Sequence, residues 1–152
     1  MLQFELATTE AIPTLLEMME EFYAIDHYPF HKEKNKNNLN IFLSNPELGR
    51  LWLVKMDHEI AGYVCLAYCF SFEYGGRDAF IDEFFLRPPF RNKGIGQQTM
   101  DFLETQSSQL GVNAIHLEVE KHNEAGKKLY LKKGFTDTGR HLLNKVVMFV
   151  NG

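Results

Sequence analysis

The spacing of apolar positions along this chain changes several times, and each change marks an element. Leu2 to Ala7 forms a short strand candidate, with Thr8 and Thr9 as candidate helix caps and Pro13 in an early helical turn. Ile12, Leu15, Leu16, Met19, Phe22 and Tyr23 then recur at helical spacing with Glu17, Glu20 and Glu21 turned outward, which predicts an amphipathic first helix. His27-Tyr28-Pro29-Phe30 breaks it. A polar segment, Lys32 to Asn38, leads into a second helix carrying Leu39, Phe42 and Leu43, and Ser44-Asn45-Pro46 ends that helix. Leu51 to Lys55 and Ile60 to Ser71 read as strands about a tight turn at Asp57-His58, a hairpin. Tyr74-Gly75-Gly76-Arg77 turns again, into a strand from Ala79 to Leu86.

A glycine turn follows, then a helix-period run from Ile95 to Leu110 that Gly111 closes. Ala114 to Glu120 resumes as a strand with Ile115, Leu117 and Val119 alternating. Strand, helix and strand make a right-handed βαβ unit with parallel strands. Asn123 caps a further helix that ends at Gly134, and Val146 to Val150 reads as a last apolar strand. The expected fold class is mixed α/β: a mostly antiparallel sheet with one parallel crossover, flanked by about four helices.

Length and composition narrow the picture. A chain of 152 residues with 45% apolar content is expected to form one domain, 1–152, around a single core. The net charge of -4 and a pI near 5.9 leave no electrostatic footprint for nucleic acid. Cys65 and Cys69 fall on one strand face roughly 13 Å apart at strand rise, too far to pair with each other. With no signal peptide and no apolar stretch near 18 residues, the expectation is a reduced, soluble, cytoplasmic protein without a membrane partner. The six histidines show no metal-ligand spacing, so no metal site is expected.

Chemistry concentrates first in Arg91-Asn92-Lys93-Gly94-Ile95-Gly96. A strand, a glycine turn and a helix N-terminus make an anion site, because unpaired backbone N–H groups and the positive end of the helix dipole converge there. The first helical turn has no acid before Asp101, as it would if a bound pyrophosphate supplied the negative charge. A Rossmann fingerprint lacks its third glycine, Thr99 standing there, and a Walker A loop lacks its Gly-Lys-Ser/Thr.

Arg91, Gly94 and Gly96 after Phe85-Leu86-Arg87-Pro88, then Leu117-Glu118-Val119, Asn123, Tyr130 and Lys133-Gly134-Phe135, resemble in order and spacing the motifs of the GNAT superfamily of acyl-CoA-dependent N-acetyltransferases. The resemblance covers nearly the whole chain. It implies a sheet that splays beyond the strand Ala79 to Leu86, with Phe85, Leu86 and the turn residues 91–96 binding acetyl-CoA. An amide near Phe85 or Leu86 would polarise the thioester carbonyl, an oxyanion-type role. Asn123 would touch the cofactor arm, beside its reading as a plain helix cap. Tyr130 would protonate the leaving thiolate, since a phenol with a reference pKa near 10 stays protonated at neutral pH; its alternative reading is a core aromatic.

An alkylamine acceptor must lose a proton before attack, and three acids are candidate bases: Asp82, Glu83 and Glu118. Asp82 and Glu83 are consecutive, so strand alternation is expected to send them to opposite faces with only one in the cleft. Salt bridges with Arg77 or Arg87 are the structural alternative. The acceptor, a small-molecule amine or peptide, is expected between the first two helices and the loop before the strand Ala79 to Leu86. Tyr23, His27, Tyr28 and Phe30, with Phe72, Glu73 and Tyr74, are its candidate walls. The competing function is a non-catalytic acyl-CoA-binding module of the same fold. The strand Val146 to Val150 is a candidate homodimer edge.

Overall fold

In the computed structural model, which describes residues 1–148, the hairpin expected at Asp57-His58 forms, and both residues take left-handed backbone (φ 50 and 70). Paired positive φ values give the turn whose twist matches that of the strands it joins. The hairpin is the centre of a sheet of β1 (Leu2–Leu6), β2 (Gly49–Met56), β3 (Glu59–Ser71), β4 (Gly76–Leu86) and β5 (Ile115–His116), laid side by side in chain order. Neighbours are antiparallel except β4 and β5, which run parallel. The chain divides into two units, Met1–Glu118 and Val119–Gly152. The sheet lies in the first.

Strand alternation gives that sheet two buried faces. On one, Leu51, Leu53, Tyr63, Cys65 and Phe85 meet Leu15, Met18 and Met19 of α1 (Ile12–Ile25) and Leu39 of α2 (Lys32–Ser44). On the other, Trp52 and Phe4 pack on Phe102 of α3 (Ile95–Gln109), at ring separations of 5.2 and 4.1 Å. Ile95, Met100 and Leu103 of α3 are buried with them. Each such side chain contributes about 2 kcal/mol by leaving water.

Three expectations change. The polar segment from Lys32 is already the start of α2, not a lead-in, because Lys and Glu favour helix and nothing in Lys32–Ser44 interrupts it. The strand after α3 is two residues long instead of Ala114 to Glu120. Thr8 offers no side-chain cap.

The second unit holds α4 (Glu124–Lys132). Asn123 caps it, its Oδ1 accepting the N–H of Gly126 at 2.9 Å. At the other end Phe135 donates its N–H to the Tyr130 carbonyl and Gly134 donates to that of Leu131, with Gly134 left-handed (φ 92), a Schellman stop. The Tyr130 and Phe135 rings meet edge to face at 5.8 Å, the apolar contact that accompanies such a stop. Of the expected last strand, Val146 to Met148 are exposed and not extended into a ladder. Apolar residues do not make a strand without a neighbour to pair with, and this unit has no other strand among the described residues. Phe149 and Val150 lie outside the described residues. No helix among them is long and apolar enough to cross a membrane.

Candidate active site

The acids on β4 sit where the ladder is irregular. Cys65 pairs with Glu83, but the next residue, Leu66, pairs with Ile81, so Asp82 is an extra residue without a partner on β3. A bulge of this kind places two side chains opposite one and re-aims them. Both Asp82 and Glu83 consequently line one cavity of about 330 Å³ against α1 and α2. The expected alternation to opposite faces is therefore corrected, because alternation holds only in a regular ladder. Neither arginine reaches them. Arg77 donates to the Leu110 carbonyl, and Arg87 donates to the Ile60 carbonyl and lies 3.8 Å from Glu17.

Glu83 is clamped. Tyr23 on α1 donates to its Oε2 at 2.5 Å, and Tyr63 on β3 donates to its Oε1 at 2.8 Å. Burial first, and then the Glu83 charge, hold both phenols well above their ordinary range, so both stay donors. Desolvation raises the Glu83 carboxyl while the two phenols pull it back down. Asp82 opens to solvent along one side, yet desolvation still raises its carboxyl above the ordinary carboxylate range. It has no hydrogen bond or ion pair among the described residues. Cys65 also faces the cavity, and burial followed by the Asp82 and Glu83 charges pushes its thiol up, away from nucleophilic use.

Of the expected acceptor walls, Tyr23 lines the cavity and Phe30 backs it, edge to face on the Tyr23 ring at 5.8 Å. Tyr28 and Glu73 are exposed and Tyr74 packs on the His116 ring at 4.9 Å, so none of these three lines it. His27 and Phe72 do not line it either. Glu118 lies beyond β5, exposed, and is not with the other two acids. Asn35, Asn38 and Phe42 of α2 complete the wall with residues the sequence pattern passed over, as it did Tyr63. The hairpin register held a signal for Tyr63, since pairing β3 with β4 sets Tyr63 beside Phe85 and two residues from the partner of Glu83.

The same strand offers an open edge. β5 pairs only with Ala79 and Phe80, so β4 runs from Ile81 to Leu86 with no strand on its outer side among the described residues. The Arg87 N–H points inward to Ala61, and the Leu86 carbonyl points outward, where Arg91 Nε donates to it at 2.8 Å. Backbone alternation thus turns the Leu86 amide, not that of Phe85, to the open edge. Arg91 also lies 5.6 Å over the Phe85 ring. Beyond it Asn92 (φ 60) and Gly94 (φ 79) are left-handed, and α3 starts at Ile95 with no side-chain cap and no acid in its first turn. Lys93 stays exposed beside it, and Gly96 lies within that first turn. Uncapped N–H groups at the positive end of a helix suit a phosphate.

Comparison with known proteins gives the class to which the sheet open beyond β4, the uncapped glycine turn and the acids facing a cavity belong. Residues 14–135 match the family model described as "Acetyltransferase (GNAT) family", and the chain belongs to that family. It is 32% identical over 89 residues to the Bacillus subtilis uncharacterized N-acetyltransferase YycN, covering 58% of this chain and 56% of the relative. It is 29% identical over 93 residues to a Lactobacillus delbrueckii subsp. lactis N-acetyltransferase, covering 60% and 54%. The chain thus spans about half the length of these relatives. Among solved structures it resembles an integron cassette protein from the Cole Harbour salt marsh metagenome, with a TM-score of 0.87 and 32% identity over 97% of this chain and 92% of the other. It shares the fold of a predicted acetyltransferase with acetyl-CoA from Clostridium acetobutylicum, with a TM-score of 0.80 and 21% identity over 95% and 96%.

Proposed function

We propose that the protein transfers the acetyl group of acetyl-CoA to a primary amine of a small molecule or peptide, by direct attack in a ternary complex. The observation that carries this reading is the bulge at Asp82, which puts an unpartnered carboxyl on a cavity beside the open edge of β4. Acetyl-CoA supplies a thioester, an acetyl carbon already activated for attack. The residues present fit it. The turn from Arg91 to Gly96 would hold the pyrophosphate, and the outer edge of β4 would pair with the pantetheine arm. The Leu86 amide would stabilise charge on the thioester oxygen.

Asp82 is the best-placed base. Both oxygens of Glu83 already accept a phenol, whereas Asp82 is free to accept a proton, and its raised pKa brings it closer to the working pH. The resemblance to the family implies Tyr130 as the proton donor, and desolvation raises its phenol, which keeps it protonated. The test is a thiol-release screen with acetyl-CoA against polyamines, aminoglycosides, amino acids, peptide N-termini and lysines. Tyr130→Phe should then cut turnover by ~10²-fold or more with acetyl-CoA binding near intact. Unchanged turnover removes Tyr130 from the mechanism. Acetyl-CoA binding without thiol release for any amine favours the non-catalytic module.

A further inference from the structure

The cavity on the α1 and α2 face holds more negative charge than one reacting amine can use. Asp82 and Glu83 both line it, and among the described residues no Lys, Arg or His does. The phenols of Tyr23 and Tyr63 orient Glu83 but carry no positive charge to offset it. Much of the rest of the wall is apolar, including Met19, Leu39, Phe42 and Leu51. An anion held among such groups is costly unless a cation joins it.

An ammonium acceptor meets that need only until it reacts. When R–NH3⁺ gives a proton to the Asp82 carboxylate, both become neutral, and Glu83 still lacks a counter-charge. We propose, building on the amine acetylation above, that the acceptor is a small diamine: one amine reacts at Asp82 while a second, still protonated, stays on the Glu83 carboxylate. Tyr63, fully buried, and Tyr23 then act as positioning residues, fixing both Glu83 oxygens so that the second cation has one place to sit. Asn35 and Asn38, three residues apart on one side of α2, add amide oxygens that can accept from an ammonium. A volume of about 330 Å³ admits a short aliphatic diamine and lies at the small end of ligand pockets.

The step balances. The neutral amine's lone pair forms the C–N bond to the acetyl carbon, the C–S bond breaks with its electron pair going to sulfur, and the nitrogen's surplus proton is matched by one delivered to the thiolate. The products are the N-acetyl amine, still carrying its second ammonium, and the thiol. Asp82 returns its proton to solvent.

The experiment compares 1,4-diaminobutane with 4-aminobutan-1-ol, n-butylamine and a lysine-containing peptide on the full chain with acetyl-CoA. Removing the second amine should lower kcat/KM by about 10- to 100-fold, the range for loss of a charge-assisted hydrogen bond. Glu83→Gln should flatten that ratio while acetyl-CoA still shifts the melting temperature, which shows that the variant folds. Equal kcat/KM for diamine and monoamine, a preference that survives in Glu83→Gln, or faster transfer to the peptide overturns the proposal and leaves amine acetylation standing. Binding decides it independently of turnover. Without acetyl-CoA, 1,4-diaminobutane at millimolar concentration should raise the melting temperature more than n-butylamine does, an excess that Glu83→Gln removes. An equal shift from both overturns the diamine even if no amine is acetylated, an outcome that would by itself sink only the enzymatic reading.

Discussion

The two faces of the sheet are built from the same strands and do opposite things. Under α3, Trp52 packs on the Phe102 ring and Val54, Val64, Leu66, Met100 and Leu103 are buried, with Thr99 and Ser107 of α3 buried among them and no carboxyl. Under α1 and α2, the alternate residues of the same strands form a core that stops at Tyr63 and Cys65, and beyond it lies a cavity with two carboxyls. One face gains stability from burial. The other gives some of it up, because desolvated acids without cations raise the energy of the folded chain. The contrast separates the residues that hold the molecule together from those that give it chemistry, and each substitution below tests on which side a residue falls.

The largest effect is expected at Asp82. Asp82→Asn removes the proposed base and should lower kcat by ~10²- to 10⁴-fold, with acetyl-CoA binding kept. In the unaltered protein, kcat/KM should rise with pH through a carboxyl pKa above the ordinary value, as desolvation requires. A drop of less than tenfold in kcat would move the base elsewhere. On the sealed face Leu103→Ala should cost about 2–5 kcal/mol in a denaturant titration, while kcat of the fraction that stays folded remains near normal. A selective loss of kcat there would erase the distinction between the faces.

The smallest effect tests the cost of the open face itself. A carboxyl whose folded pKa lies above its unfolded value favours folding at low pH, and that contribution is lost as pH rises through the folded pKa. Asp82→Asn escapes the loss. Its melting temperature should match the unaltered protein in acid below the ordinary carboxylate range and exceed it at neutral pH by at most about 3 °C. A lower melting temperature at neutral pH would mean that Asp82 has a stabilising partner.

Much of this was legible in the chain because it is local. The turn from Arg91 to Gly96 and the stop at Gly134 depend on neighbours within a few residues, and both form as their glycines indicate. The hairpin at Asp57-His58 does too. The bulge was not legible, since an extra residue in β4 is defined only against β3. For the same reason the sequence suggested Asp82 or Glu83 for the cleft when the structure supplies both. Tyr63 hid in an apolar run, where a phenol has the same pattern as any core aromatic until its partner is placed. The described part of the last strand candidate differs in the opposite sense: Val146 to Met148 have the composition but no strand to pair with in their unit among the described residues.

Two adjacent side chains on one face of a strand cannot be reached by exchanging residues within a regular ladder, because any exchange leaves the parity of every position intact. A change of chain length by one residue does it at once. The pair Asp82 and Glu83 thus depends on the extra residue in β4 and not on which residues flank it. Deleting one residue between Ala79 and Glu83 would restore a plain ladder and return the cavity to a single carboxyl.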